Sequence, residues 1–258
     1  MNVRMPAVAG AFYPAERFEL KQMIESFLES SKKTSVAGKL KGLIVPHAGY
    51  IYSGPAAGVG YKLLKENNPD AENVFLIGPS HYERFYGVAQ ATDEYWQTPF
   101  GKVEMEQLKE NQIIKNYNKA HLKEHSLEVQ LPFLQTVLKK FRVYALLTGE
   151  MSARLFAPEL QKEIDESSII IASSDLSHYH SYSEAMRIDN TANKAIPSMD
   201  VYNVESFVEA CGKEAILTLM QIAKIKKWKG KFLDYKNSGD TSGDKSRVVG
   251  YGCYAFYE

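Results

Sequence analysis

The chain has 258 residues, 45% of them hydrophobic and 24% charged, and its 31 basic and 31 acidic side chains give a formal net charge of zero. This length suits a single large α/β domain over residues 1–258, and a neutral chain offers no electrostatic basis for binding nucleic acid or an anionic membrane surface. Two cysteines, Cys211 and Cys253, are too few for a disulfide framework and favour a reducing compartment. The N-terminal residues lack the apolar run of a secretory signal, and the uncharged stretch 42–61 is interrupted by prolines and glycines, so we expect a cytoplasmic protein with no membrane span.

The hydrophobic pattern predicts strands that alternate with helices. The predicted helices cover residues 16–30, 54–66, 127–140 and 158–164, with helices dominating from 182 to 225. The predicted strands cover residues 40–45, 73–77, 87–92, 142–147, 168–172, 231–235 and 248–256, and residues 102–117 give mixed signals. Such an order predicts an α/β fold, a single domain with a mixed, mostly parallel sheet and helices on both faces.

Three of the predicted strands are short apolar runs that end in polar segments containing histidine. The first run leads to His47, the second to His81, and the third to a segment with Asp175 and His178. Because the carboxyl ends of parallel strands share one edge of a sheet, where ligands bind, we expect these side chains to lie close together.

Imidazoles that converge in this way suit metal binding and acid–base chemistry. His47 and His81, with one carboxylate or thiolate, would hold a divalent transition metal with open coordination positions, as in non-haem iron enzymes. His125 and His178 are candidates for proton transfer because imidazole titrates near neutrality. Asp175 is expected to orient His178 or to bind metal or substrate, and a helix cap is the alternative for it.

Two other motifs are weaker. The segment from His121 to His125 matches H-x-x-E-H, a zinc-protease signature, but no long helix is predicted around it. The glycine-rich stretch 54–60 matches neither phosphate-loop pattern, so nucleotide binding is not predicted.

A set of longer motifs carries a family resemblance. They read MPAVAGAFYP at 5–14, VPHAGYIYSG at 45–54, IGPSHY at 77–82, EHSLEVQLPFL at 124–134, SSDLSHYH at 173–180 and NSGDTSGDKSRVVGY at 237–251. Together they resemble the Memo family, whose prokaryotic members are called AmmeMemoRadiSam system protein B. The motifs run in order along essentially the whole chain.

This resemblance implies a fold similar to that of the class III extradiol dioxygenases, which cleave catechol-type rings with non-haem Fe(II). It places His47 and His81 on the metal-binding histidines of the family. It also places His125, Asp175 and His178 among the conserved residues of the site, which we take as its catalytic group. The family cysteine that completes the metal site in animal Memo falls at or beside Thr241, so Asp240 is the substitute metal ligand that we predict.

The leading hypothesis is a metal-dependent oxidoreductase-like protein with Fe(II), or alternatively Zn or Cu, that binds a vicinal diol or similar small polar substrate. A non-enzymatic module that binds a peptide or partner, or buffers iron or copper, is the alternative, and a zinc-dependent hydrolase is the third. The resemblance also implies association with a radical-SAM protein.

Overall fold

In the computed structural model, which describes residues 2–258, twelve strands form one continuous mixed sheet. The strands are β1 (Val3–Arg4), β2 (Leu40–Val45), β3 (Asn73–Pro79), β4 (Val88–Gln90), β5 (Tyr95–Thr98), β6 (Gly101–Glu106), β7 (Ile114–Asn116), β8 (Arg142–Thr148), β9 (Ser168–Ser173), β10 (His178–His180), β11 (Lys229–Asn237) and β12 (Val248–Tyr257). The helices are α1 (Arg17–Ser30), α2 (Tyr50–Asn67), α3 (Asn118–His121), α4 (Leu131–Val137), α5 (Ala153–Leu160), α6 (Tyr182–Ala195), α7 (Val201–Phe207), α8 (Lys213–Lys226) and α9 (Ser238–Ser242), with a 3₁₀ turn at Glu128–Gln130.

The centre of the sheet is parallel. The main path runs β1-β5-β6-β8-β3-β9-β2-β12-β10, and β6, β8, β3, β9 and β2 are all parallel to their neighbours within this run. The C-terminal strand β12 lies antiparallel to β2, β10 and β11. The mixed, mostly parallel α/β architecture predicted from the sequence is confirmed, and it brings the carboxyl ends of β2, β3 and β9 to one edge.

Helices cover both faces of this sheet. Alternate residues of a strand point to opposite faces, so Leu43 and Val45 enter one core while Ile44 enters the other. The first core lies under α1, α2 and α4, and the second under α5 to α8. This alternation explains why the central strands read as continuous apolar runs: both of their faces are buried.

Small residues let α2 pack closely on its neighbours. A Cβ added at Gly60 would lie 2.8 Å from Cys253 Sγ and 3.2 Å from Val45, on the sheet side. A Cβ at Gly54 would overlap the ring of Phe27 in α1. Glycine at these positions therefore sets the distance from α2 to both the sheet and α1.

Several element boundaries differ from the sequence predictions. The helix predicted over 54–66 begins at Tyr50, one turn earlier, so Pro55 lies inside it. The N–H of Tyr50 at its start donates to the carbonyl of Phe12. The helix predicted to run to residue 140 ends at Val137. The helix predicted over 158–164 is α5, which begins at Ala153 and ends at Leu160, and the side chain of Ser152 caps its start.

The N-terminal segment is fixed by a buried ion pair. Arg4 Nη1 lies 2.7 Å from Glu128 Oε2, and both side chains are at most 2% exposed. Glu128 also accepts hydrogen bonds from the N–H groups of Ala7 and Val8 and from the hydroxyl of Tyr13. Phe12, between Val8 and Tyr13 in this segment, lies against the histidine edge of the sheet, with its ring 4.6 Å from that of His125.

Among residues 2–258, no helix combines the length and apolar character that crossing a bilayer requires.

Candidate metal centre

Three histidines lie together at the carboxyl edge of the sheet. The ring centroids of His47 and His81 are 5.3 Å apart, and that of His125 lies 5.5 Å from His47 and 4.7 Å from His81. His47 follows β2, His81 follows β3, and His125 lies on the loop before the 3₁₀ turn. The convergence expected from the sequence is therefore present for His47 and His81.

The hydrogen-bond network leaves the lone pair of His47 on Nε2. The hydroxyl of Ser173 donates to the carbonyl of Ser126 at 2.6 Å, so it can only accept from His47 Nδ1 at 3.0 Å. Nδ1 is thus assigned the ring proton and Nε2 the lone pair. Burial and the neighbouring His81 lower the pKa of His47 to about 3, so the ring is neutral at pH 7.

His81 is oriented by a buried carboxylate. Glu124 is 1% exposed, and its two oxygens accept from the backbone N–H of His81 at 2.6 Å and from Nδ1 at 2.9 Å. Burial alone would raise the pKa of Glu124, but the hydrogen bonds and charge of His81 outweigh it and lower the pKa to about 2. A carboxylate that holds Nδ1–H leaves Nε2 as the ligand atom, which is the usual support of a metal-bound histidine.

A cysteine completes the group. Cys211 Sγ lies 3.2 Å from His47 Nε2, and the ligand atoms of His47, His81 and Cys211 all lie within 4.8 Å of one another. Burial and the Asp175 carboxylate raise the pKa of the Cys211 thiol to about 12, so the metal-free protein keeps it protonated. Cys211 lies on the loop between α7 and α8 and was not among the metal ligands predicted from the sequence.

His125 lies beside this group with one nitrogen unpaired. Its ring stacks on His81 and touches Phe12 at a centroid distance of 4.6 Å. Its buried Nδ1 has no hydrogen-bond partner among residues 2–258, and the nearest carboxylate oxygen, on Glu124, is 3.4 Å away. Burial and the neighbouring His47 lower the pKa of His125 to about 4, so it is a neutral base at pH 7.

Asp175 and His178 lie on the segment that follows β9. Asp175 is 5% exposed and Oδ1 accepts the backbone N–H of His47 at 2.8 Å. Burial raises the pKa of Asp175, and the hydrogen bond from His47 and the charge of His178 oppose that shift. His178 is half-buried on β10, next to Tyr179, whose positive φ of 65° is rare for a bulky side chain.

Asp240, the predicted third metal ligand, lies elsewhere. Its side chain is exposed and forms a capping box at the start of α9, where Oδ2 accepts the N–H of Asn237 at 2.8 Å. Its Oδ1 accepts the hydroxyl of Tyr182 at 2.8 Å. Across residues 2–258, two clusters of three potential ligands occur, His47 with His81 and Cys211, and His81 with Glu124 and His125. Neither contains Asp240, whose two oxygens serve local structure.

The H-x-x-E-H motif does not form a zinc site. His121 is fully buried, and Nε2 donates to the carbonyl of Ala89 at 3.1 Å, while its ring lies against Trp96. The helix that contains it, α3, has only four residues. His121 is therefore a core residue, as the missing helix signal indicated.

The donor set fits a transition metal. Ligand atoms 2.0–2.3 Å from one ion lie about 3.5 Å apart, close to the 3.2 Å between Cys211 Sγ and His47 Nε2. Nε2 of each histidine carries a lone pair, and coordination would replace the thiol proton of Cys211. Two imidazoles and a thiolate suit iron, zinc and copper rather than magnesium or calcium.

Further residues that support the site had no sequence signal of their own. Gln130 Nε2 donates to Ser173 Oγ at 2.8 Å and so helps fix His47. The buried Asp189 accepts from the N–H and hydroxyl of Ser177 and from Tyr235, and this holds the segment that carries His178. Each acts across a long sequence separation, which only the folded chain displays.

Comparison with known proteins gives matches over the whole chain. A family model described as "Memo-like protein" matches residues 4–255. A protein named "MEMO1 family protein" from Sulfurisphaera tokodaii is 38% identical, covering 96% of this chain and 97% of its own length. Proteins of the same name from Nitrosopumilus maritimus (35% identical, 98% and 99% covered) and Aquifex aeolicus (36%, 97% and 98%) match similarly. The matched region includes every residue of the histidine site.

Proposed function

The chain belongs to the Memo family, and from this premise we propose that it is a transition-metal protein whose centre, formed by His47, His81 and Cys211, acts on a small polar substrate. The observation that carries the proposal is the convergence of these three ligand atoms within 4.8 Å of one another. Glu124 and Ser173 support it, because each holds the Nδ1 of one histidine and leaves Nε2 for the metal.

The donor chemistry favours iron(II), zinc or copper. Iron(II) is the metal expected from the family resemblance, and two neutral imidazoles suit it. The thiolate of Cys211 in place of a carboxylate strengthens the case for zinc or copper, because sulfur is the softer ligand. The metal content of the purified protein decides among them.

The remaining groups supply proton transfer and orientation. When bound, the metal would act as a Lewis acid that holds and polarises a substrate hydroxyl or carbonyl oxygen. His125, neutral at pH 7, would accept a proton from that substrate and return it. Asp175 fixes the position of His47 through the backbone, and its charge acts on His178 across the site.

A non-catalytic metal-binding role is the second candidate. The observation that favours it is the ligand set itself, since two histidines and one cysteine also form the copper sites of electron-transfer proteins. In that role His125 and His178 would govern access to the metal rather than proton transfer.

The test is anaerobic purification and metal analysis of the wild type and of His47→Ala, His81→Ala and Cys211→Ser. We expect about one transition-metal ion per wild-type chain and its loss in the three variants. Cys253→Ser is the matched control, because Cys253 is a buried thiol that packs against Gly60. A wild type that holds no transition metal under reducing conditions, even after metal is supplied, would refute both candidates.

Turnover separates the two candidates. Oxygen uptake or product formation with catechols and other vicinal diols, lost in His125→Ala while metal is retained, supports the enzyme. Stoichiometric metal with no turnover on a diol panel supports the binding role.

A further inference from the structure

A second cavity lies at the opposite edge of the sheet from the histidines. It is a groove of about 650 Å³ between α1, the β5–β6 hairpin and the end of α4. Residues 138–141, which line it, lead into the amino end of β8, whereas His47 and His81 follow the carboxyl ends of their strands. The groove is therefore separate from the metal centre.

The lining of this groove is strongly basic in a chain with no net charge. Six of its fifteen lining residues are lysine or arginine, against 31 in the 258 residues of the chain, and two are acidic. The basic residues are Arg17, Lys21, Lys65, Lys102, Lys139 and Lys140, and the acidic ones are Glu25 and Glu104. The lining therefore carries a formal charge of about +4 in a chain whose formal net charge is zero.

Three of these cations have no carboxylate partner. Within the described residues 2–258, Lys65 and Lys140 have no hydrogen bond, ion pair or ring contact. The guanidinium of Arg17 donates to the carbonyl of Phe100 at 3.1 Å and lies over its ring, so its remaining N–H groups are available. Positive charges from α1, α2 and the end of α4 thus face one volume without neutralisation.

Aromatic side chains also line the groove. Tyr95, Phe100 and Phe141 line it and are all partly exposed. A volume of this size holds a ligand about as large as one nucleotide. Lysine and arginine side chains bind phosphate oxygens through charge-assisted hydrogen bonds.

We propose that this groove binds a polyphosphate anion, either free or carried by a nucleoside. Lys65, Lys140 and Arg17 would bind the phosphate oxygens, and a base would lie against the aromatic wall. The site would use side-chain cations rather than the backbone N–H cradle of a glycine-rich phosphate loop, which accounts for the absence of such a motif from the sequence. A compact three-sided groove fits a small anion better than an extended acidic peptide, which needs a longer trough or a free sheet edge.

The test is isothermal titration calorimetry of the full chain with sodium triphosphate, ATP and adenosine at about 150 mM salt. We expect saturable binding of triphosphate and ATP and none of adenosine alone. Lys65→Gln with Lys140→Gln should weaken binding at least about tenfold. Tighter binding of ATP than of triphosphate, with the difference removed by Phe100→Ala, would identify the nucleoside form, and equal binding would identify the free anion.

Two controls make the result specific to the groove. Lys115→Gln with Lys229→Gln removes the same charge from exposed lysines elsewhere and should leave the affinity unchanged. His47→Ala should also leave it unchanged, because phosphate that bound a metal at the histidine site would depend on that residue. The proposal is overturned if triphosphate does not bind, if both lysine pairs weaken binding equally, or if binding requires His47.

Discussion

Cys211 Sγ lies 3.2 Å from His47 Nε2, although 164 positions separate the two residues in the chain. The contact is fixed from both sides. The N–H of Asp175 donates to Cys211 Sγ at 3.3 Å, and the N–H of Cys211 donates to the carbonyl of Asp175 at 3.2 Å. The loop before α8 is therefore tied to the segment after β9, and the thiol is held against the imidazole.

This contact predicts a thiolate ligand that spectroscopy can detect. Cobalt(II) added to the metal-free protein should give sulfur-to-cobalt charge-transfer absorption in the near ultraviolet, because coordination removes the thiol proton. Cys211→Ser should abolish this absorption, and Cys253→Ser should keep it. Charge-transfer absorption that persists in Cys211→Ser would contradict the assignment of the sulfur ligand.

The carboxylate of Glu124 predicts a second effect on metal binding. Glu124→Gln keeps the shape of the side chain but replaces one acceptor oxygen with a donor, so it can no longer hold both the N–H and the Nδ1–H of His81 as a carboxylate does. Loss of such a supporting group lowers metal affinity by about 10- to 100-fold. Competition with a chelator measures the change.

Glu83→Gln is the control for that variant. Glu83 is close in sequence to His81, but its carboxylate pairs with Lys119 and Tyr117 on the surface. The metal affinity of the Glu83→Gln variant should match that of the wild type. If both variants bind metal as tightly as the wild type, Glu124 does not orient the ligand.

The parts of the site that could be predicted from the sequence are those encoded locally. The apolar runs of β2, β3 and β9 are buried on both faces, so they read as strands without further context, and their polar endings follow directly. Because the strands are parallel, the convergence of His47 and His81 followed from topology alone. The residues that flank each histidine were therefore sufficient to predict this part of the site.

The parts that were missed depend on tertiary contacts. Cys211 lies on a loop whose position is set by the packing of α7 and α8, and no pattern near residue 211 indicates a ligand. Asp240 was chosen by its place in a motif, but its carboxylate caps α9. The short strand β10 has no apolar alternation and forms only because His178 and His180 pair with β12.

The buried His121 predicts acid sensitivity. Burial lowers its pKa to about 3 in the folded state, whereas the unfolded chain takes up a proton near pH 6.5. Below pH 6.5 the unfolded state therefore binds more protons, and the stability of the fold falls as the pH falls toward the folded pKa. Between pH 7 and pH 5, the titration of this residue lowers the free energy of unfolding by about 2 kcal/mol.

The variant His121→Gln isolates this contribution, because glutamine can still donate to the carbonyl of Ala89 but does not titrate. Urea unfolding of metal-free protein should show about 2 kcal/mol less destabilisation from pH 7 to pH 5 in the variant than in the wild type. The two proteins should show the same change between pH 7 and pH 8, where histidine is neutral in both states. An identical loss in both proteins at pH 5 would mean that His121 is not held neutral by the fold.

The contact between Gly54 and Phe27 predicts that a favourable helix substitution destabilises the protein. Alanine in place of glycine inside a helix normally raises the free energy of unfolding by about 1 kcal/mol. A Cβ at position 54 would lie 2.6 Å from Phe27 Cζ, however, so α1 and α2 would have to separate. Overpacking of this kind costs about 1–3 kcal/mol, and we expect a lower free energy of unfolding for Gly54→Ala.

A double-mutant cycle with Phe27→Leu tests the cause. The smaller side chain removes the ring that the new methyl group meets, so Gly54→Ala should be neutral or stabilising in that background. The measurement is urea unfolding of the four proteins at pH 7. Equal effects of Gly54→Ala in both backgrounds would show that the phenylalanine ring does not limit the approach of the two helices.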